Sequence, residues 1–212
     1  HVLPTSALAG DNVVERSGRT PFYNGPALLE LLESLPADST QADRALRLPV
    51  QLVIRPQSAA AEGLTDYRGY AGRISAGAVE LGDDVVVLPS GRRTTVTGIN
   101  LGARPVLAAR AGQSVSLELA DDIDIARGDL IAAGHDLPPL VREIEAHVAW
   151  LSERPLHARD RVLVKHGART VRALVASIEG VLELDDLAIS PADELALNDI
   201  GRLRLRLAEP LP

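Results

Sequence analysis

The sequence predicts a mainly β protein: two β-barrels in tandem behind a short helical N-terminal segment. Three observations carry this. From Leu46 onward apolar residues recur with a period of two instead of 3.6. Turn signals built on glycine return about every 8–12 residues, the spacing of sandwiches and barrels. Only the stretch ahead of Pro36 has helical spacing. Strands this short and numerous favour closure, which leaves no open edge.

The helix is predicted over Ala27–Leu35, where Leu28, Leu31, Leu32 and Leu35 share a face. Pro26 suits a first turn because it has no N–H to leave unpaired, and Asn24 or Gly25 supplies the cap. Polar residues from Pro36 to Asp43 end the helix as a linker, so residues 1–45 form the first segment. In the next stretch Leu46, Leu48, Val50, Leu52 and Ile54 alternate with other residues, as on a half-buried strand. Gly82-Asp83-Asp84 leads into Val85–Leu88, Ser90-Gly91-Arg92 turns back into Thr94–Thr97, and Ala111-Gly112-Gln113 leads into Ser114–Leu119. These strands make a first barrel, residues 46–136. Pro138-Pro139 breaks the pattern. Val141–Leu151, Arg161–Lys165, Thr170–Ile178 and Gly201–Leu207 make a second barrel, residues 137–212.

Composition removes whole classes of function. Of 212 residues, 46% are hydrophobic and 24% charged, ordinary for a folded chain. No cysteine means no disulfide, no thiolate nucleophile and no cysteine zinc site. Methionine is also absent, even at position 1, so the sequence reads as a piece of a longer chain or a processed product. The 21 arginines against the single Lys165 look like a coding bias. The net charge of −7 divides as −3 over residues 1–45, −2 over 46–136 and −2 over 137–212. A nucleic-acid binder needs a concentrated basic face, and five aromatics offer little for stacking bases. No apolar run approaches the roughly 20 residues of a membrane span, and no leader pattern opens the chain. A soluble, cytoplasmic protein without nucleic-acid or membrane partners is expected.

No residue reads as catalytic. His1, His135, His147, His157 and His166 are scattered without metal-ligand spacing. Asp121-Asp122-Ile123-Asp124 lacks the glycine and distal glutamate of a calcium loop and reads as a solvated turn. Arg202, Arg204 and Arg206 line one face of a strand, either as a contact patch or as its wet side. Ser6 and Ser90 lack a nucleophile-elbow context, and no phosphate loop or dinucleotide fingerprint occurs.

Several segments carry a resemblance. Arg110–Leu117, followed by Ile125-Ala126-Arg127-Gly128-Asp129-Leu130-Ile131, resembles the end of the second domain of translational-type GTPases. Gly112 and Gly128 would take φ > 0 there, and Arg127 would pair with Asp129 across the turn. Pro4–Val14 resembles the last guanine-recognition loop of such a GTPase, with Ser6, Ala7 and Leu8 at its core. Pro21–Glu33, Arg47–Pro56, Tyr67–Ile74, Gly82–Gly91 and Leu197–Leu203 are similar to the large, GTP-binding subunit of sulfate adenylyltransferase. Phe22 departs from it, standing where a tryptophan is expected.

The resemblance implies barrels like domains II and III of elongation factor Tu, with residues 1–45 as the C-terminal remnant of the GTPase domain. It implies that the Ala7 N–H meets guanine O6. The phosphate loop and the Asn-Lys-x-Asp motif are missing, so the resemblance implies GTP and magnesium in the parent protein and no cofactor in this chain. It further implies a small catalytic subunit as partner, which makes adenosine 5′-phosphosulfate from ATP and sulfate. In some relatives the chain continues into an adenylylsulfate kinase domain. The barrels would couple GTP hydrolysis to that synthesis without performing it, so the chain alone would be inactive. The alternative reading is a translation elongation factor whose barrels hold aminoacyl-tRNA.

Overall fold

The computed structural model describes residues 2–35, 40–56 and 67–212. The chain folds into two compact units. One holds His1–Ser39, Glu145–Asp160 and Val175–Leu205; the other holds Thr40–Ile144, Arg161–Leu174 and Arg206–Pro212.

Residues 40–144 carry β1 (Arg47–Pro49), β2 (Leu52–Ile54), β3 (Gly69–Arg73), β4 (Ala78–Glu80) and β5 (Asp84–Leu88). They continue with β6 (Arg92–Leu101), β7 (Arg104–Pro105), β8 (Ala108–Arg110), β9 (Ser114–Leu119) and β10 (Leu130–Ala133). The main sheet runs β1-β10-β5-β6-β9-β3-β2, with β7 on β6, and β4 pairs separately with β8. The order begins and ends on consecutive strands. Arg47–Pro49 lies against Leu130–Ala132, and Leu52–Ile54 against Gly69–Ala71. Between them the Val50 N–H donates to the Asp129 carbonyl and the Gln51 N–H to the Ala71 carbonyl, both at 2.8 Å. One bent strand therefore closes the sheet on itself, as the period-two pattern predicts.

The bend also explains where that pattern fails. Leu46, Leu48 and Val50 are buried, yet Leu52 is 59% exposed, because the chain changes partners after Pro49 and its faces exchange. The interior holds Leu48, Val50, Tyr70, Ile74, Leu117 and Ile131, each almost wholly buried. Gly72 makes the bend possible: a Cβ there would stand 2.2 Å from the Pro49 carbonyl oxygen. Strand β3 and the bend after Pro49 meet at a spot with no room for a methyl group.

Residues 141–211 supply β11 (Val141–Ala149), β12 (Leu156–His157), β13 (Arg161–His166), β14 (Arg169–Leu182), β15 (Ile189–Ser190), β16 (Glu194–Leu195) and β17 (Ile200–Leu211). The sheet order is β11-β17-β14-β13, β15 adds to β14, and β12 pairs with β16. Leu203, Leu205 and Leu207 are buried while Arg204 and Arg206 are exposed, as the alternation predicts.

Helix α1 spans Leu28–Ser34, inside the predicted range, but its cap differs from expectation. Ala27 holds the cap position without a side-chain bond; Asn24 and Gly25 do not cap. The Leu28 and Leu29 N–H groups instead donate to the carbonyls of Asn12 and Val13, both at 2.9 Å. No residue of α1 is buried, and Leu32 and Leu35 are 55% and 48% exposed. Half of the expected linker, residues 36–39, lies outside the described residues, and Thr40–Asp43 forms a 3₁₀ turn. Among the described residues no helix is long and apolar enough to cross a membrane.

Candidate functional site

The loop singled out from sequence is a tight turn. Ser6 and Asp11 face each other in a bridge, with the Ser6 N–H donating to the Asp11 carbonyl at 3.3 Å. The Gly10 N–H returns to the Ser6 carbonyl at 2.8 Å, and Ser6 Oγ accepts the Ala9 N–H at 3.2 Å. Ser6 is thus spent on shaping the turn. Ala7 and Leu8 form its exposed tip, with Leu8 projecting fully into solvent.

Asn12 holds the loop together, although sequence reasoning passed over it. It is fully buried, with φ of 55°. Its Nδ2 donates to the Pro4 carbonyl and to Thr20 Oγ1, both at 2.8 Å, and its Oδ1 accepts the Ser17 N–H at 2.8 Å. One amide therefore ties both ends of residues 4–20 together, while the backbone of the same residue caps α1. The available signal was chemical: asparagine tolerates the left-handed region and carries both donor and acceptor. Beside it, Asp11 accepts the Ser17 hydroxyl at 2.6 Å and pairs with Arg19 at 2.5 Å. The Ser17 hydroxyl first, then Arg19, holds the Asp11 carboxyl below its ordinary pKa.

The Arg-Gly-Asp turn departs from expectation. Arg127 does not pair with Asp129; it donates to the Gln51 carbonyl at 2.5 Å. Asp129 Oδ2 accepts the Ala126 N–H at 2.9 Å, closing the turn, and Oδ1 accepts Arg169 at 3.0 Å. Arg169 also reaches Glu209 at 2.6 Å. Aspartate closes its own turn because its short side chain reaches a backbone N–H three residues back, which leaves one oxygen for a distant arginine. Gly128 does take φ of 96°, and a Cβ there would stand 2.9 Å from the Arg169 Cα.

The arginine strand meets its own acids, an outcome that neither reading of the sequence, contact patch or wet side, names. Arg202 pairs with Glu145 and Glu179, Arg204 with Glu179 at 3.1 Å, and Arg206 with Glu143 at 3.2 Å. The acidic run is tied as well: Asp122 pairs with Arg68, whose guanidinium lies 5.7 Å from the Tyr70 ring centre. The Tyr70 hydroxyl donates to the Ile123 carbonyl at 3.0 Å, and burial pushes its pKa up. Among the described residues no three potential metal ligands converge.

These geometries sit in a chain with clear relatives. Residues 143–212 match the family described as GTP-eEF1A C-terminal domain-like. The chain is 44% identical over 214 residues to the bifunctional enzyme CysN/CysC of Mycobacterium tuberculosis H37Rv, covering 99% of this chain and 34% of that protein. It is 39% identical over 216 residues to sulfate adenylyltransferase subunit 1 of Shewanella oneidensis, covering 100% of this chain and 43% of that one.

The chain is homologous over its whole length to sulfate adenylyltransferase subunit 1.

This subunit 1 homologue spans well under half the length of those two relatives. Its fold is shared with sup35. A crystal structure of sup35 complexed with GDP superposes on 98% of it, and on 50% of that protein, with a TM-score of 0.70 at 21% identity. That complexed with GMPPNP gives 0.69 at 19% identity.

Proposed function

We propose that this chain is the coupling region of a GTP-dependent sulfate adenylyltransferase working in the cytoplasm. In that reaction a sulfate oxygen attacks the α-phosphorus of ATP, the bond to the outer phosphates breaks, and adenosine 5′-phosphosulfate and pyrophosphate form. The uphill synthesis belongs to a small catalytic subunit, and the barrels transmit the nucleotide state of a GTPase domain to it by a rigid-body shift. The observation that carries this reading is similarity, over the whole of this chain, to part of proteins named sulfate adenylyltransferase subunit 1.

Residues 6–8 are the guanine-facing tip. The Ser6 hydroxyl bonds within the turn, so the backbone of Ala7 at an exposed tip is free to meet the base. GTP affinity of these residues alone is weak, because triphosphate and magnesium contacts come from a phosphate loop that this sequence does not contain.

The test is a calorimetric titration of the chain with the small catalytic subunit, with aminoacyl-tRNA in parallel. Saturable binding to the subunit and none to the tRNA supports the reading. Binding to the tRNA with steep salt dependence overturns it in favour of the elongation-factor alternative.

A further inference from the structure

One face of this protein carries charge that no described residue answers. Among the described residues, strand β13 ends its sheet, pairing with β14 on one side only. Alternate N–H and C=O groups along it therefore point away from the sheet. Arg161, Leu163 and Lys165 are exposed along its outward face, with Leu163 71% exposed, while Val162 and Val164 between them are half-buried. Across the ladder Leu163 stands opposite Arg172, and Arg161 opposite Leu174. These side chains border a shallow depression of about 570 Å³.

Nearby, Arg169 pairs with Asp129 and Glu209, and Arg206 pairs with Glu143. Among the described residues Arg161, Lys165 and Arg172 form no ion pair, in a chain whose net charge is −7. Three unmatched cations around an exposed leucine, beside an open backbone edge, fit an anionic partner that is also extended and partly apolar.

We infer that β13 takes up an acidic, extended segment of a partner protein as an added strand. Side chains of an added strand alternate between faces. Those beside Arg161, Leu163 and Lys165 therefore read acid, apolar, acid at every second position, with opposite charges meeting across the ladder. A nucleic acid would match the charge but leave both Leu163 and the backbone edge unused. The inference does not depend on the sulfate-activation reading.

The probe is the capped heptapeptide Thr-Glu-Thr-Val-Thr-Glu-Thr, titrated into ¹⁵N-labelled chain and followed by amide shifts. Its glutamine counterpart and a short single-stranded oligonucleotide are titrated in parallel. Lys165 is the chain's only lysine, so its protection from acetylation gives a second readout. We expect shifts confined to residues 161–166 and 170–174 and protection of Lys165. We expect roughly tenfold weaker binding for the glutamine peptide and for the Arg161→Glu/Arg172→Glu variant. Should that variant lose its dispersed spectrum, Leu163→Ala replaces it and must also weaken binding. The inference is overturned by no shift on this face, by equal affinity for the glutamine peptide, or by the oligonucleotide binding there more tightly.

Discussion

Replacing Gly72 with alanine tests how the first barrel closes. The added methyl would lie 2.2 Å from the Pro49 carbonyl oxygen and 3.1 Å from Leu48 Cδ1. Carbon and oxygen need about 3.2 Å, so the bend of β1–β2 must move away from β3 by about 1 Å. The Gln51 to Ala71 hydrogen bond, now 2.8 Å, would stretch beyond bonding distance. Overpacking of this kind costs about 1–3 kcal/mol and the lost bond about 1 more, so about 2–4 kcal/mol is expected. For a chain of this size that lowers the melting temperature by about 5–15 °C. Circular dichroism melting of Gly72→Ala beside Gly18→Ala is the assay. Gly18 has no atom within 4 Å of its added Cβ and no positive φ, so its variant stays within about 1 kcal/mol of the parent. A Gly72→Ala variant melting within about 2 °C of Gly18→Ala would refute the closure argument.

Gly128→Ala must strain a left-handed residue and press on Arg169; a urea midpoint shift worth about 2–4 kcal/mol is expected, and an unchanged midpoint contradicts it. Asn12→Ala removes three hydrogen bonds from the buried centre of the loop. Hydrogen exchange of the Ser17, Leu28 and Leu29 amides should then quicken by about ten- to a hundredfold, and unchanged exchange would remove Asn12 from its role. The Asp11 carboxyl, held below its ordinary 3.8, adds stability at pH above that value and loses it as pH falls through the lower folded value. The Ser17 and Arg19 amide shifts should titrate below pH 3.8, and a midpoint at or above it refutes the pairing.

Strands β5, β6, β9, β11, β13, β14 and β17 are legible in the sequence because a period of two and a glycine turn are local properties, whereas β3 and β15 carry no such signal. Ser114–Leu119, between its predicted turn and the next, is the clearest case. The bend at Val50 is not local: it depends on Asp129 and Ala71, which reach it from opposite sides. The fate of Arg127 and Asp129 is hidden for the same reason, since their partners Gln51 and Arg169 are distant in sequence. At the loop, the spacing and similarity of Ser6, Ala7 and Leu8 marked the tip, while the residue that organises it, Asn12, belongs to no periodic pattern. The helix cap failed because proximity in sequence favoured Asn24, and proximity in space gave the bond to the Asn12 carbonyl.

The pairing of β1 with β10 also sets an order of events during synthesis. Arg47 meets Ala132, so among the described residues the first strand of this barrel must wait for its last one. The β5–β6 hairpin, with Val87 opposite Arg92, can form as soon as it emerges. Until Leu130–Ala133 follows, β5 keeps an open edge beside Val86 and Leu88. Pairings this distant make folding slow, and the nascent chain must keep that edge from other polypeptides while it waits. A pause in translation before Leu130 would therefore be the most hazardous one for this barrel.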